Sequence, residues 1–274
     1  MNILKLELKR AIANRNMLIT LILGIAITLP HTISNFFNEL EYKSYVLENN
    51  LATGADLSSL FGRWFGMNID IDGTMYFYIF SILAVYPAAM IYFSDSKSGY
   101  IKNLYTRCDK LKCLLSKYIS AFVAGGIAVT LPLFIAFLLT ALYAPARLPD
   151  PIVMNTIVDK NMWSTLYFEH PLIYTIGYIA IDFIFGGLFS CFAMSVSDYV
   201  RHKFSVFISS FLVVASLNFI CTQLNLNMLN PQNFLSPAQL VTYANGYIII
   251  IEALFFFTVS FVLFIFGGKN NETY

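Results

Sequence analysis

The sequence contains little charge for its length. Asp, Glu, Lys and Arg make up 12% of its 274 residues, whereas about 25% is usual for a soluble domain. Hydrophobic residues make up 58% of the chain and aromatic residues 16%, which leaves too little polar surface for a water-soluble fold. This composition predicts a membrane protein. The net charge is only +1, so no overall positive field favours binding to a nucleic acid.

The motifs of several enzyme classes are also missing. The sequence contains no phosphate-binding GxxxxGK[ST] loop, no HExxH metal motif and no GxSxG nucleophile motif. His31, His170 and His202 are scattered and predict no metal site. Cys108 and Cys113 lie in a polar segment, and the other two cysteines lie in apolar runs, so we expect no extracellular disulfide. These absences predict a chain that is not an enzyme by itself and binds no cofactor.

Six apolar runs are long enough to cross a bilayer, because a hydrocarbon core about 30 Å thick needs about 20 helical residues. They predict an all-α integral membrane protein with a single transmembrane domain, residues 1–274. The runs cover about residues 17–37, 73–93, 118–143, 172–195, 204–222 and 247–267. Pro30 and Pro132, inside the first and third runs, predict kinks or interrupted hydrogen bonding. The pairs Gly125–Gly126 and Gly186–Gly187 predict close packing between helices.

The positive charges are distributed unevenly between the two sides of these spans. If both termini lie inside, all but four of the 17 Lys and Arg residues fall on the inner side. The four exceptions are Lys43, Arg63, Arg147 and Lys160. Short cytoplasmic loops of membrane proteins carry an excess of Lys and Arg. The charge distribution therefore predicts a multi-pass protein with cytoplasmic termini.

Three segments outside the spans also carry a pattern. Residues 1–16 place apolar side chains on one helical face, which predicts an amphipathic helix in the membrane interface. Residues 225–246 lack charge and contain two prolines, which predicts short helices in the outer leaflet, with an ordinary outer loop as the alternative. In the outer segment 38–72, apolar residues at helical spacing predict either a helix on the outer leaflet or a loop packed on neighbouring spans. These residues are Leu57, Leu60, Phe61, Trp64 and Phe65.

Two acidic residues lie inside apolar runs. Asp182 is in the middle of the fourth run, and Glu252 is in the outer third of the sixth. A charge at the centre of a bilayer costs about 2.5–3.5 kcal/mol on insertion scales, so such residues are candidates for function. Each acid is either a polar group of a transport pathway or a structural acid bonded to Tyr, Ser or Asn of another span.

The most informative stretch is Ser94–Lys117, between the second and third runs. Six of its residues are cationic, namely Lys97, Lys102, Arg107, Lys110, Lys112 and Lys117. Helix propensity predicts a helix over residues 100–117, and apolar residues are interspersed with its charges. Anionic lipid alone would account for the charges, but exposed apolar residues beside them favour a protein partner.

The order of residues in this stretch resembles a known family. Asp95-x-x-x-Gly99, followed by Leu104, Arg107 and Lys117, is similar to the loop between spans two and three in the membrane subunits of type-2 ATP-binding-cassette (ABC) exporters. The resemblance covers nearly the whole chain. The size and composition of the chain look similar to those of the permeases of bacterial peptide or bacteriocin-resistance exporters. Members usually have Glu where this chain has Asp95.

This resemblance implies a function. In the family the loop forms a coupling helix that rests on a separate ATPase subunit, so Asp95, Gly99, Leu104, Arg107 and Lys117 become the coupling candidates. The implied partners are that ATPase, which binds ATP and Mg, a second permease chain and membrane lipid, all at a bacterial cell membrane. The implied cargo is amphipathic or hydrophobic: a peptide, an antibiotic or a lipid. The alternatives are an intramembrane enzyme or lipid-modifying protein that uses Asp182, and a non-catalytic assembly or sensor protein.

Overall fold

A computed structural model of the chain describes residues 3–49, 59–106, 109–150, 157–158, 160–239 and 244–270. Among these residues 81% are helical and none forms a strand. Six of the helices are long and apolar enough to cross a membrane. The prediction of a helical, multi-pass membrane protein is therefore confirmed.

The described residues form twelve α-helices. In chain order they are α1 (Ile3–Ile12), α2 (Arg15–Glu48), α3 (Leu60–Arg63), α4 (Ile71–Val85), α5 (Ala89–Lys97), α6 (Tyr100–Tyr105), α7 (Lys110–Ala141), α8 (Ser164–Glu169), α9 (Pro171–Val196), α10 (Lys203–Gln223), α11 (Pro231–Leu235) and α12 (Gly246–Asn270). Two 3₁₀ turns cover Phe65–Met67 and Asn227–Leu229. The six spans are α2, α4 together with α5, α7, α9, α10 and α12.

The helix that forms the first span extends beyond the predicted span, 17–37. Helix α2 has 34 residues and is therefore about 51 Å long at 1.5 Å per residue, well beyond a 30 Å hydrocarbon core. Its last turns are polar, and Glu39 and Lys43 form an i,i+4 ion pair at 3.4 Å, an arrangement that stabilises helix outside the apolar region. The apolar run therefore gives the length of the span but not the end of the helix.

The second span is not one continuous helix, which the sequence analysis did not predict. Residues 86–88 form a turn between α4 and α5. Pro87 lies in this turn, where its missing N–H and its ring are incompatible with the interior of a helix. The inner end of the span, α5, is therefore a separate short helix.

The predicted single helix over residues 100–117 is wrong. Helix α6 ends at Tyr105, and α7 begins at Lys110. The side chain of Asp109 caps α7 by accepting a hydrogen bond of 3.3 Å from the amide of Leu111. Residues 110–117 are therefore the first two turns of the third span.

Small residues bring the central helices close together. A Cβ atom added to Gly125 in α7 would lie 2.4 Å from Cβ of Ser190 in α9, and one added to Gly187 would lie 2.6 Å from the ring of Phe122. The packing role predicted for the glycine pairs is confirmed. Pro132 does not end α7, and its ring packs against Gly24 of α2.

The central spans are the most buried. In the apolar windows of the second, third and fourth spans, 67%, 56% and 61% of residues are buried, against 28%, 22% and 22% in the first, fifth and sixth. The core has two parts, one toward the start of α4 and one around α5. The first part contains Leu60, Phe61, Trp64 and Phe65, which favours a loop packed on neighbouring spans over a helix on the outer leaflet. Leu57 lies outside the described residues.

Short helices also form in two other segments between the spans. Within residues 225–246, the Asn227–Leu229 turn and α11 have the short helical form that the sequence predicts. Phe234 and Leu235 of α11 are almost fully buried within the protein. Helix α8 begins at Ser164, directly after Trp163.

Candidate functional site

The end of the second span and the start of the third span meet beside α1. Gly99 connects α5 to α6 in the left-handed backbone region, with φ of 77°, and an added Cβ would meet no atom within 4 Å. Only glycine adopts this conformation without strain. Helix α6 can therefore turn back from α5 toward the start of α7, and Tyr100, its first residue, reaches the charges between these helices.

Four charged residues from three helices form one cluster, which we call the inner charge cluster. Its members are Glu7 and Arg10 of α1, Asp95 of α5 and Lys117 of α7. Lys117 Nζ lies 3.1 Å from Glu7 Oε2 and 3.2 Å from Asp95 Oδ2. Arg10 Nη2 lies 2.9 Å from Asp95 Oδ1, and Nη1 lies 3.5 Å from Glu7 Oε1. Each cation therefore contacts both anions, and the four formal charges cancel.

Three of the four residues in the cluster are largely removed from solvent, and the Arg10 side chain is 32% exposed. The exposed fractions are 5% for Glu7, 8% for Asp95 and 4% for Lys117. Burial of a charge is tolerated only when it is paired and hydrogen-bonded. Burial alone would lower the pKa of Arg10, but the hydrogen bond and negative charge of Asp95, followed by the charge of Glu7, raise it overall. Arg10 therefore stays cationic.

Aromatic rings enclose the cations. The guanidinium of Arg10 lies 4.7 Å from the ring centre of Tyr100, and Lys117 Nζ lies 5.8 Å from the same ring and 5.9 Å from that of Tyr92. These distances are within the range of cation–π attraction. Tyr100 thereby links α6 directly to the inner charge cluster.

A second polar contact holds α5 to the chain after the fourth span. The hydroxyl of Tyr92 donates a hydrogen bond of 3.0 Å to Asp198, and that of Ser96 donates one of 3.4 Å. Helix α5 is therefore held by charged partners on two sides, although Pro87 separates it from α4.

The five coupling candidates differ in their position and exposure in the structure. The fold brings Asp95 and Lys117 together inside the protein, so neither presents its charge outward. Gly99 is the bend between two helices, and Leu104 is half-buried on α6. Arg107 lies outside the described residues. Sequence reasoning missed Glu7 and Arg10 as partners of this site, since the amphipathic pattern assigns them to a polar face.

The two acids inside spans are not part of the cluster. Asp182 of α9 is fully buried, and neither carboxylate oxygen has a hydrogen-bond partner among the described residues. The nearby hydroxyls make other bonds, since Tyr76 donates to the carbonyl of Val129 and Tyr178 accepts from the amide of Gln239. The oxygens of Glu252, in α12, also lack such a partner within the described chain.

The cluster does not have the form of a small-molecule or metal site. The cavity that its members line is only about 20 Å³, far below the 300–1,000 Å³ of typical ligand pockets. In the described part of the chain, no three His, Cys, Asp or Glu residues are grouped as metal ligands. The geometry suits mechanical connection of three helices.

Comparison with known proteins found no matching family model, no matching curated protein and no matching solved structure.

Proposed function

We propose that this chain is the transmembrane subunit of an ATP-driven exporter of the type-2 ABC kind. A separate ATPase subunit, which binds ATP and Mg, docks on the inner segment 100–117, and a second permease chain completes the pathway. The complex lies in a bacterial cell membrane with the termini of this chain in the cytoplasm. It moves an amphipathic or hydrophobic cargo outward.

The observation that supports this proposal is the inner charge cluster. A motor outside the membrane needs a stiff attachment to the spans that it moves. Asp95 lies in the last turn of the second span and Lys117 in the first turns of the third. Helix α1 contributes Arg10, which pairs with Asp95, and Glu7, which pairs with Lys117. Because Tyr100 contacts both cations, displacement of α6 acts on all three helices at once.

The surface near the cluster fits a protein partner. Leu111 and Leu115, in the first turns of α7, are 59% and 42% exposed, whereas Ile101 and Leu114 are 7% and 1% exposed. Lys112 is also exposed on this part of α7. An apolar surface beside a cation favours a protein with an apolar and acidic surface over water. The docking surface in this proposal is therefore the start of α7 together with α6.

Two further elements receive roles in this proposal. Helix α1 lies in the inner membrane interface, with Glu7 directed into the protein as the attachment to the cluster. Helix α11 and the neighbouring 3₁₀ turn dip into the outer leaflet, where irregular backbone is tolerated if protein buries it. The burial of Glu7 in α1, and of Phe234 and Leu235 in α11, supports these two roles.

The test is a double variant of the docking surface. In the native host, the tagged chain is purified by mild solubilisation, and the ATP hydrolysis that co-purifies with it is measured. Leu111→Glu with Leu115→Glu should reduce that hydrolysis by at least about tenfold, because two carboxylates would be desolvated at the interface. Leu142→Glu is the matched control, since Leu142 is 81% exposed at the opposite end of α7 and should retain the activity.

The outcome separates the proposal from its rivals. If the Leu111→Glu, Leu115→Glu double variant and the Leu142→Glu control co-purify with equal ATP hydrolysis, at equal yield and elution volume, docking on α7 is excluded. Absence of any co-purifying ATPase from the wild-type chain would contradict the exporter proposal as a whole.

A second candidate function is an intramembrane enzyme that uses Asp182. The observation in its favour is the full burial of this carboxyl group without a hydrogen-bond partner among the described residues. Asp182→Asn keeps the shape of the side chain. If this variant abolishes formation of a chemical product while the purified chain carries no ATPase, the enzyme replaces the exporter. Unchanged ATP-linked transport in the same variant excludes it.

A further inference from the structure

A cavity lined by carboxamides and apolar groups lies at the end of the bundle opposite the inner charge cluster. Its volume is about 370 Å³, within the range of small-molecule pockets. Three parts of the chain enclose it: the start of α4, the last turns of α10 and the segment around α11. Gly73 and Asn218 mark its two sides. Gly73 and Asp95 are at opposite ends of the second span, so this cavity is remote from the proposed docking surface.

The described lining of the cavity combines carboxamides with apolar surface and carries no charge. Five of its lining residues are carboxamides, namely Asn68, Asn218, Asn227, Gln232 and Asn233, and no Asp, Glu, Lys or Arg is among the described lining residues. Ile69 and Phe77 add an apolar part. A charged ligand would lose its hydration here without meeting an opposite charge, which is unfavourable. The lining therefore selects an uncharged ligand.

Asn218 organises these groups. Its Nδ2 donates hydrogen bonds to Oε1 of Gln232 and, at 3.3 Å, to the hydroxyl of Tyr78. Its Oδ1 accepts from Nδ2 of Asn230 at 2.8 Å and from Oγ1 of Thr222 at 3.3 Å. The carboxamide of Asn218 is therefore fully used within the protein, and it fixes the position of Gln232.

Two hydrogen-bond donors remain without partners. The side-chain NH₂ groups of Asn68 and Gln232 have no hydrogen-bond partner among the described residues. Both residues line the cavity, and they are only 6% and 8% exposed. Their oxygens are occupied, since Asn68 accepts from the amide of Asp70 at 2.9 Å and Gln232 accepts from Asn218. Buried polar groups in proteins nearly always find a partner, so these donors call for a ligand that brings acceptors.

We propose that this cavity binds an uncharged ligand whose carbonyl oxygens accept hydrogen bonds from Asn68 and Gln232 while an apolar group contacts Ile69 and Phe77. An amide of a neutral peptide and an ester of a neutral lipid both have this chemistry. The site does not depend on an ATPase partner, because all of the described groups that form it belong to this chain. Ligand binding at this cavity can therefore be tested without the ATPase, and its failure would not decide the exporter proposal.

The test is photo-crosslinking of the full chain in lipid nanodiscs without ATP. One probe is a short leucine-rich peptide, acetylated and amidated at its ends, with a diazirine side chain. The second probe is a diacylglycerol with a diazirine on one acyl chain. The expected result is saturable labelling by one of the two probes, mapped by mass spectrometry to the residues that line the cavity. The peptide with free, charged termini should label at least about tenfold less well.

Two variants of Gln232 remove the donor in different ways. Gln232→Glu keeps the acceptor for Asn218, and Gln232→Met keeps the length without polarity. Each should raise the concentration of probe for half-maximal labelling by about tenfold, because one hydrogen bond is lost. Gln223→Met is the matched control, since Gln223 is exposed at the end of α10 and does not line the cavity.

The proposal is overturned by several results. These are the absence of saturable labelling at the cavity by both probes, equal saturable labelling by the capped and the charged peptide, and unchanged labelling by the binding probe in both Gln232 variants. Thermal unfolding of each variant, measured alongside, shows whether a loss of labelling reflects a loss of fold. If both Gln232 variants unfold early, Asn68→Asp, which keeps the acceptor for Asp70, must show the tenfold loss instead.

Discussion

At the residue scale, the ion pairs around Lys117 give this residue a different role from the one its resemblance suggests. The family pattern marks Lys117 as a coupling residue near the end of a loop. In the structure it is 4% exposed and bridges Glu7 and Asp95, so it cannot present its charge to another subunit. Its contribution is to hold α1 and the ends of two spans in one arrangement.

The first prediction concerns this bridge. Lys117→Met keeps the aliphatic part of the side chain and removes the charge, which leaves two buried carboxylates with only Arg10 between them. Removal of one partner from a buried pair typically costs about 3–5 kcal/mol. The midpoint of thermal unfolding in detergent should therefore fall clearly. Lys112→Met, at an exposed site on the same helix, should change stability by less than about 0.5 kcal/mol.

A double variant tests the physical reason. Asp95→Asn in the Lys117→Met background removes the excess negative charge and leaves Arg10 paired with Glu7 at 3.5 Å. This second change should restore part of the lost stability, as expected when two residues of one network interact. If the two losses simply add, the four residues do not act as one cluster.

At the element scale, the sequence predicts the spans well and their ends poorly. Length and hydropathy are enough for the six spans, because a helix that crosses lipid must satisfy its backbone internally and be apolar throughout. The continuation of α2 to Glu48 and the start of α7 at Lys110 depend on helix formation in polar sequence, which hydropathy does not detect. The proline at position 87 is itself a signal for the helix break, but Pro87 lies within an otherwise unbroken apolar run, which hides the break.

The second prediction concerns the crossing of α7 and α9. Gly125→Ala would place Cβ 2.4 Å from Cβ of Ser190 and 2.6 Å from the carbonyl oxygen of Gly186, so one helix must move. Overpacking of this kind costs about 1–3 kcal/mol, which unfolding in detergent would detect. Gly246→Ala, where the nearest atom is the sulfur of Met162 at 3.8 Å, is the control and should be neutral or slightly stabilising. Equal effects would mean that the helices are not in close contact at Gly125.

The third prediction concerns the bend at Gly99. Gly99→Ala meets no atom within 4 Å, so its cost is the strain of the left-handed backbone, about 1–2 kcal/mol. Gly99→Asn should cost less, because Asn tolerates this region better than Ala. Both variants are measured for unfolding and for co-purifying ATP hydrolysis. A hydrolysis loss larger in Ala than in Asn supports a role for the bend in docking, whereas no difference in either measurement would show that the bend is not held in this conformation.

At the scale of the whole molecule, the two ends of the bundle differ in the chemistry of their buried polar groups. One end holds two cations and two carboxylates in contact, and the other holds carboxamides that bond to one another. Neither arrangement could be predicted from the sequence, because neither leaves a periodic pattern. The first joins residues far apart in the chain, such as Glu7 with Lys117, and the second joins residues 12 and 14 positions apart on either side of a turn. The sequence shows only that Lys and Arg are more frequent on one side of the predicted spans than on the other.

That excess gives the last prediction, on the orientation of the molecule in the membrane. Tyr45 follows the first span and is 57% exposed, and Lys203 is exposed at the start of the fifth. Three spans separate these positions, so they must lie on opposite sides whichever way the chain is inserted. The positive-inside rule then places Tyr45 outside and Lys203 in the cytoplasm.

Single cysteines test the span count and the orientation separately. In a chain with Cys108 and Cys113 replaced by Ser, the remaining Cys191 and Cys221 are 0% and 5% exposed and should react little with a membrane-impermeant maleimide. Tyr45→Cys should be labelled in intact cells, and Lys203→Cys only after permeabilisation. Labelling of both from the same side would contradict six spans. Labelling with the two sides exchanged would keep the six spans but place the inner charge cluster and α6 outside the cell, where no ATP-driven partner could reach them.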